Sequence, residues 1–150
     1  MKNLPDFLKK ELYTKIKFKL SKTQHLLISA KINGVVGNFI LDTGASNSCV
    51  GFESVSLFHL DPKESMTKAS GAGATGMHTQ IAPNTELQLG RWKSSTIELV
   101  IFDLSHVNEA LVAHKSKTVH GIIGADVLLK GKAIIDYYNH YLYLQKEIRY

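Results

Sequence analysis

The chain has one cysteine, Cys49, in 150 residues. That rules out an internal disulfide framework and any four-cysteine zinc site, and it points to a reducing compartment. No apolar run approaches the roughly 18 residues needed to span a bilayer. The N-terminal "MKNLPDFLKKEL" lacks the apolar stretch of a signal peptide. A cytoplasmic protein with no membrane partner is the expectation. The seven histidines (25, 59, 78, 106, 114, 120 and 140) show no short metal-ligand spacing. Neither a metal nor another cofactor is expected. No aromatic-plus-basic pattern suggests stacking on nucleic acid, and no repeat, low-complexity tract or linker divides the chain.

What is present fits one ordinary domain, long enough to bury a core without staples. The net charge of +5 is uneven. Residues 1–31 carry eight lysines against Asp6 and Glu11, a net of +6, and the remainder sums to −1. In "YTKIKFKL", Lys15, Lys17 and Lys19 alternate with Ile16, Phe18 and Leu20. That is the period of a half-buried strand with a solvated lysine face, which also discourages stray edge pairing.

Most segments read as short strands between turn residues. Residues 13–20 form the first, after an extension over 1–12. "HLLISAKING" places Leu26, Ile28, Ala30 and Ile32 on one face, and Asn33-Gly34 is a hairpin signal. Residues 36–41 return as a strand that becomes apolar on both sides, which implies burial within the fold. A short helical turn fits 51–60, and residues 68–83 read as a flexible glycine-rich stretch. "TELQLG" and "SSTIELVIFD" predict two strands with a turn near Gly90-Arg91. Residues 105–120 read as a loop with a helical turn. The end of the chain reads as a buried strand to Ile123, a short helix near 126–129, and a hairpin pairing "AIIDY" with "YLYL". A small sandwich or barrel follows.

Asp42 ends the apolar "FIL" run, and Gly44 follows two residues later. A buried acid is costly unless it is hydrogen-bonded or used. Glycine permits a tight turn whose N–H groups fold back on the carboxylate. Asp-Thr-Gly arises by chance in only about 3% of chains this long. The tripeptide alone still leaves two readings, a plain Asx-turn or an oriented, working carboxylate.

"FILDTGAS", with "GIIGADVLL" about 80 residues on and "IIDYYNHYLYL" at the end, resembles the retropepsin-like aspartic proteases. These are the single-lobed relatives of retroviral protease and pepsin, and the likeness is to their bacterial and cellular branch. It covers roughly residues 13–145, so 13–150 is taken as the domain. It implies a mainly β, closed small barrel with a flap hairpin and one or two short helices. It implies an aspartic endopeptidase with Asp42 catalytic, and Thr43, Gly44, Ala45 and the Ile122-Ile123-Gly124 element in support. Thr43 would hydrogen-bond across a dimer, Gly44 would offer its N–H to the carboxylate, and Ala45 would line the cleft. Gly71, Gly73 and Gly76 are the flap candidates. The chain holds one Asp-Thr-Gly and no second Asp-Thr/Ser-Gly. One copy therefore supplies half a two-aspartate site, and a homodimer acting on a peptide or protein substrate is implied. The terminal strands, "YLYLQKEIRY" included, are expected at its interface. The alternative is a catalytically silent module of the same fold that dimerises or binds peptides.

The chain departs from retroviral members in Ser46 and Asn47 after Ala45 and in "GIIGAD", and with no tyrosine in 68–83 it lacks a pepsin-like flap tyrosine. Among the other acids, Asp126 is expected as a helix N-cap, and Asp103 and Asp136 as turn residues. Cys49 is expected to be a small buried residue rather than a nucleophile, and Trp92 a core or interface aromatic.

Overall fold

Alternating apolar residues build the first three strands, Tyr13–Leu20 (β1), Leu26–Ile32 (β2) and Val35–Leu41 (β3). In β2, Leu26, Ile28, Ala30 and Ile32 are all buried, as their spacing predicts. Asn33 and Gly34 adopt left-handed backbone, with φ of 50° and 83°, and turn β2 into β3. The computed structural model describes residues 3–64, 69–71, 74–77 and 79–146.

The remaining strands are Cys49–Gly51 (β4), Lys63–Glu64 (β5), Ala69–Gly71 (β6), Ala74–Met77 (β7), Gln80–Leu89 (β8), Trp92–Phe102 (β9), Gly121–Ile123 (β10), Ile134–Asp136 (β11) and Tyr141–Gln145 (β12). Strands β2, β3, β10, β4, β9 and β8 lie side by side in that order. β8 then pairs back onto β2 through Lys31–Gln88 and Ile32–Leu87, which closes the barrel. β1, β12 and β11 extend the sheet beyond β2, and β5 lies on the far edge of β8. β6 and β7 form a separate antiparallel hairpin. The fold is therefore mainly β and closed, as expected.

The centre of the barrel wall is a crossing. β10 runs parallel to β3 on one side and antiparallel to β4 on the other. Neighbouring residues in these strands point to opposite faces, and both faces are covered. Phe39, Leu41, Val50 and Ile123 enter the main core with Phe18, Ile28, Leu99, Ile101 and Leu142. Ile40, Cys49 and Ile122 enter a second, smaller cluster with Phe102, Leu104, Leu111 and Val119. Burying each such Leu, Ile or Phe contributes on the order of 1.5–3 kcal/mol. Two-sided burial is the physical reason β3 ends on three consecutive apolar residues, Phe39, Ile40 and Leu41, whereas Val36 and Asn38 earlier in the strand are exposed.

Several elements depart from the sequence reading, among them the β6–β7 hairpin in the stretch read as flexible. Residues 105–120 hold a nine-residue helix, Ser105–Ala113 (α2), rather than a helical turn. Its N-cap, Leu104, offers no side-chain cap, so the usual start signal is missing. Leu111 on this helix covers the second cluster, and Asn108 brackets the Val119 backbone with both ends of its amide. The 1–12 extension contains a second helix, Leu4–Lys10 (α1). Its signals were legible: Asn3 as cap, Pro5 in the first turn, Lys9 and Lys10 in the last. β8 begins at Gln80, five residues before the predicted "TELQLG" strand. Pro83 is tolerated inside it because the β8–β9 register slips between Ala82 and Thr85.

The closing hairpin stands as predicted. Asp136 accepts hydrogen bonds from the Asn139 N–H and side-chain amide at 3.0 and 2.8 Å. Those bonds hold its carboxyl below the usual aspartate range. Asp103 likewise accepts from the Ser105 hydroxyl and N–H at the start of α2, and is lowered for that reason. Trp92 is buried in the main core. Among the described residues no helix is long and apolar enough to cross a membrane.

Gly121 is where β10 passes closest to β4. A Cβ there would lie 2.1 Å from the Cys49 carbonyl oxygen, a backbone atom that cannot swing aside. Gly121→Ala is therefore expected to destabilise the fold by about 1–3 kcal/mol. Denaturant unfolding of the two proteins measures the difference.

Candidate active site

Asp42 is the first residue beyond β3, where the strand leaves the core and emerges into solvent. Its N–H donates to the Ile123 carbonyl at 2.9 Å, extending the β3–β10 ladder past the end of the strand. The chain then turns, with the Ala45 N–H donating to the Asp42 carbonyl at 3.2 Å. Inside that turn the Gly44 N–H donates to Asp42 Oδ1 at 2.9 Å. A backbone donor of this kind orients the carboxylate. Asp42, Thr43 and Gly44 are exposed and Ala45 is half-buried, packing against the second cluster.

The second predicted element comes to the same place. Ile122 and Ile123 fill the two clusters from β10, and Gly124 is the N-cap of the helix Ala125–Lys130 (α3). The Ala125 N–H donates to the Ala45 carbonyl at 2.7 Å. A Cβ on Gly124 would sit 2.6 Å from that same carbonyl oxygen, so only glycine lets the two segments approach this closely. Asp42, Thr43, Gly44, Ala45, Ile122, Ile123 and Gly124 are thus brought together in one region, with the two isoleucines beneath it in the cores. Gly71 and Gly76 lie apart from it in sequence, on β6 and β7. Gly73 falls outside the described residues.

Asp126 is not the N-cap. The helix starts one residue earlier than the sequence suggests, because Gly124 holds extended backbone and caps it without a side chain. Asp126 instead turns back to the Asp42 loop. Its Oδ1 accepts from the Ser48 N–H at 3.0 Å, the Ser48 hydroxyl at 2.7 Å and the Val127 N–H at 2.9 Å. The Ser48 oxygen in turn accepts from the Gly124 N–H at 2.9 Å. Sequence reasoning missed Ser48 altogether. Nothing in linear spacing links residues 48 and 126.

Beside Ser48, Cys49 is buried in the second cluster. Desolvation pushes its thiol up to about 12, with the negative charges of Asp126 and Asp42 adding to the effect. Among the described residues no three His, Cys, Asp or Glu side chains converge as metal ligands do. The chemistry available is that of an oriented, solvent-facing carboxylate on a rigid backbone loop.

Residues 28–127 match a family model described as aspartyl protease. No curated protein sequence matches the chain. Solved structures do. A retropepsin-like aspartic protease from Rickettsia conorii is 20% identical, with 89% of this chain and 92% of that one covered, at a TM-score of 0.60. The EIAV protease complexed with the inhibitor HBY-793 is 17% identical, with 75% and 92% covered and a TM-score of 0.55. The retroviral protease-like domain of Ddi1 from Leishmania major is 17% identical, with 80% and 87% covered and a TM-score of 0.53. All three are likenesses of fold.

A thiol that is both buried and held protonated is a poor nucleophile. Iodoacetamide is expected to leave Cys49 unmodified in the folded protein at neutral pH and to label it fully in denaturant. Mass spectrometry reads the difference, and rapid labelling of the folded chain would contradict the burial.

Proposed function

The chain belongs to the aspartyl protease family, and from that premise we propose that it is an endopeptidase whose catalytic group is Asp42. One observation carries the reading. Asp42 stands exposed directly after three strand residues buried on both faces, with its Oδ1 already held by the Gly44 N–H at 2.9 Å. A carboxylate serving only to close a turn has no need of a backbone loop tied down at several points.

Each chain supplies one such carboxylate, so the site is completed by a second copy. A two-fold axis brings a surface patch onto itself and sets Asp42 beside its symmetry mate. Two carboxylates a few Å apart cannot both ionise cheaply and share one proton. The pair titrates in two macroscopic steps that belong to neither residue alone. Between those steps, the ionised carboxylate takes a proton from a bound water while the protonated one donates to the scissile carbonyl oxygen. The water oxygen attacks the carbonyl carbon, and the tetrahedral species collapses as the amine leaves with a proton. No covalent enzyme intermediate forms. Thr43, exposed and without a side-chain hydrogen bond among the described residues, is free to bond across the axis beneath the dyad.

The β6–β7 hairpin is assigned as the flap that closes over an extended peptide, with Gly71, Gly73 and Gly76 giving it bending freedom. The domain proper is taken as 13–150, with α1 as its N-terminal extension. Tyr141–Gln145 is paired with β1 on one edge and β11 on the other, so it has no free edge to lend a partner. Any part of this segment in the dimer comes from its side chains or from residues beyond it.

Asp42→Asn is expected to lower peptide cleavage by at least about 10²–10⁴-fold while leaving the dimer intact by sedimentation. Specific activity should fall on dilution through the dimer dissociation constant, and the pH profile should be bell-shaped. A statine-type transition-state mimic should inhibit. A broad peptide library left uncleaved by the wild-type chain would favour the silent binding module instead.

A further inference from the structure

We infer that Asp126, acting through Ser48, is a positioning residue that holds the 42–48 loop in the shape that aims the Asp42 carboxylate. The catalytic consequence rests on the reading of Asp42 above; the structural one does not.

The loop is tied to the β10–α3 segment at three places. Asp42 donates to the Ile123 carbonyl, Ala45 accepts from the Ala125 N–H, and Ser48 bonds to both Gly124 and Asp126. Only the third tie uses side chains. Thr43, Ser46 and Asn47 are exposed and make no side-chain hydrogen bonds among the described residues. Ser48 is fully buried, so its polar atoms have no water to fall back on.

The direction of the Ser48 bonds follows from chemistry. The Gly124 N–H can only donate, so it uses the Ser48 oxygen as acceptor. The Ser48 hydroxyl proton must then go to Asp126 Oδ1. That oxygen also takes the Ser48 and Val127 N–H groups, so three donors converge on one atom. The carboxylate is thereby a shared acceptor that joins the end of the loop to the first turn of α3. Bonds to an ionised acceptor are the stronger kind. The Asp42 carboxylate, by contrast, has among the described residues only the Gly44 N–H to orient it. Its aim therefore depends on how firmly the loop backbone is held, and at the far end Asp126 shares that role with the Val100 N–H, which donates to the Ser48 carbonyl at 3.0 Å.

An asparagine at 126 can present its Oδ1 to the same three donors, whereas an alanine cannot. This separates positioning from charge. The experiment uses the full chain with Asp126→Ala, Asp126→Asn and Ser48→Ala. It reads kcat and KM on a peptide the wild-type chain cleaves, the exchange rates of the Gly44 and Ala45 amides, and thermal unfolding. Asp126→Ala is expected to lower kcat about tenfold to a hundredfold, the range for orphaning buried donors, with KM nearly constant. Gly44 and Ala45 exchange should quicken in step. Asp126→Asn should restore kcat and exchange to within about threefold of wild type. Ser48→Ala should resemble Asp126→Ala, and the double variant should add little, because one relay is being cut twice.

Equal impairment of the alanine and asparagine variants would overturn the proposal. So would Asp126→Ala with unchanged kcat and unchanged Gly44 exchange. Should Asp126→Ala not fold, Ser48→Ala severs the same relay and is read in its place. If the wild-type chain cleaves no peptide, the reading of Asp42 fails on its own. Amide exchange then decides: quicker in Asp126→Ala and restored in Asp126→Asn supports positioning, and no change rejects it.

Discussion

The hydrogen bond from the Asp42 N–H to the Ile123 carbonyl joins two segments about 80 residues apart in the chain. It is the last rung of the ladder between β3 and β10, placed one residue beyond where the strands end. Everything at the site follows from that rung. β10 can reach Asp42 only by passing between β3 and β4, and it can pass there only with glycine at 121 and 124. The isoleucines between those glycines face opposite cores, so the crossing is fixed from both sides. An acid at the end of such a strand has little freedom to wander.

Two carboxylates share this small region and are treated differently. Asp126 collects three donors on one oxygen and is turned inward toward Ser48. Asp42 keeps one donor among the described residues and is exposed. The first is consumed by structure, and the second retains lone pairs for a partner, a water or a substrate. Cys49 lies in the apolar cluster nearby, its thiol raised chiefly by burial and further by both acids. The charged groups of the site are thus sorted by how many backbone donors reach them, not by residue type.

α2 shows why the outer cluster needs a second layer. Ile40, Cys49 and Ile122 point away from the barrel interior, and without Leu104, Leu111 and Val119 they would face water. The Asn108 amide pins residue 119 to the helix at 2.8 and 3.1 Å, which ties the cover to the strand it protects. Its sequence has no cap residue and a modest apolar stripe, so local signals are weak. The helix forms because the sheet beneath it is apolar.

Strands β1, β2, β3, β9 and β10, the Asn33-Gly34 turn and the closing hairpin were legible in the residues, since period-two alternation and turn chemistry act between near neighbours, whereas the short strands β4 to β7 and the start of β8 carry no such signal. α1 carries equally local signals in Asn3, Pro5 and its terminal lysines. The family likeness followed from two short motifs read together. What the order of residues could not reveal was the joining of Ser48 to Asp126, the cover supplied by α2, and the true start of α3. Each depends on which backbone groups are left unsatisfied once distant strands have paired. That quantity exists only after the barrel has closed.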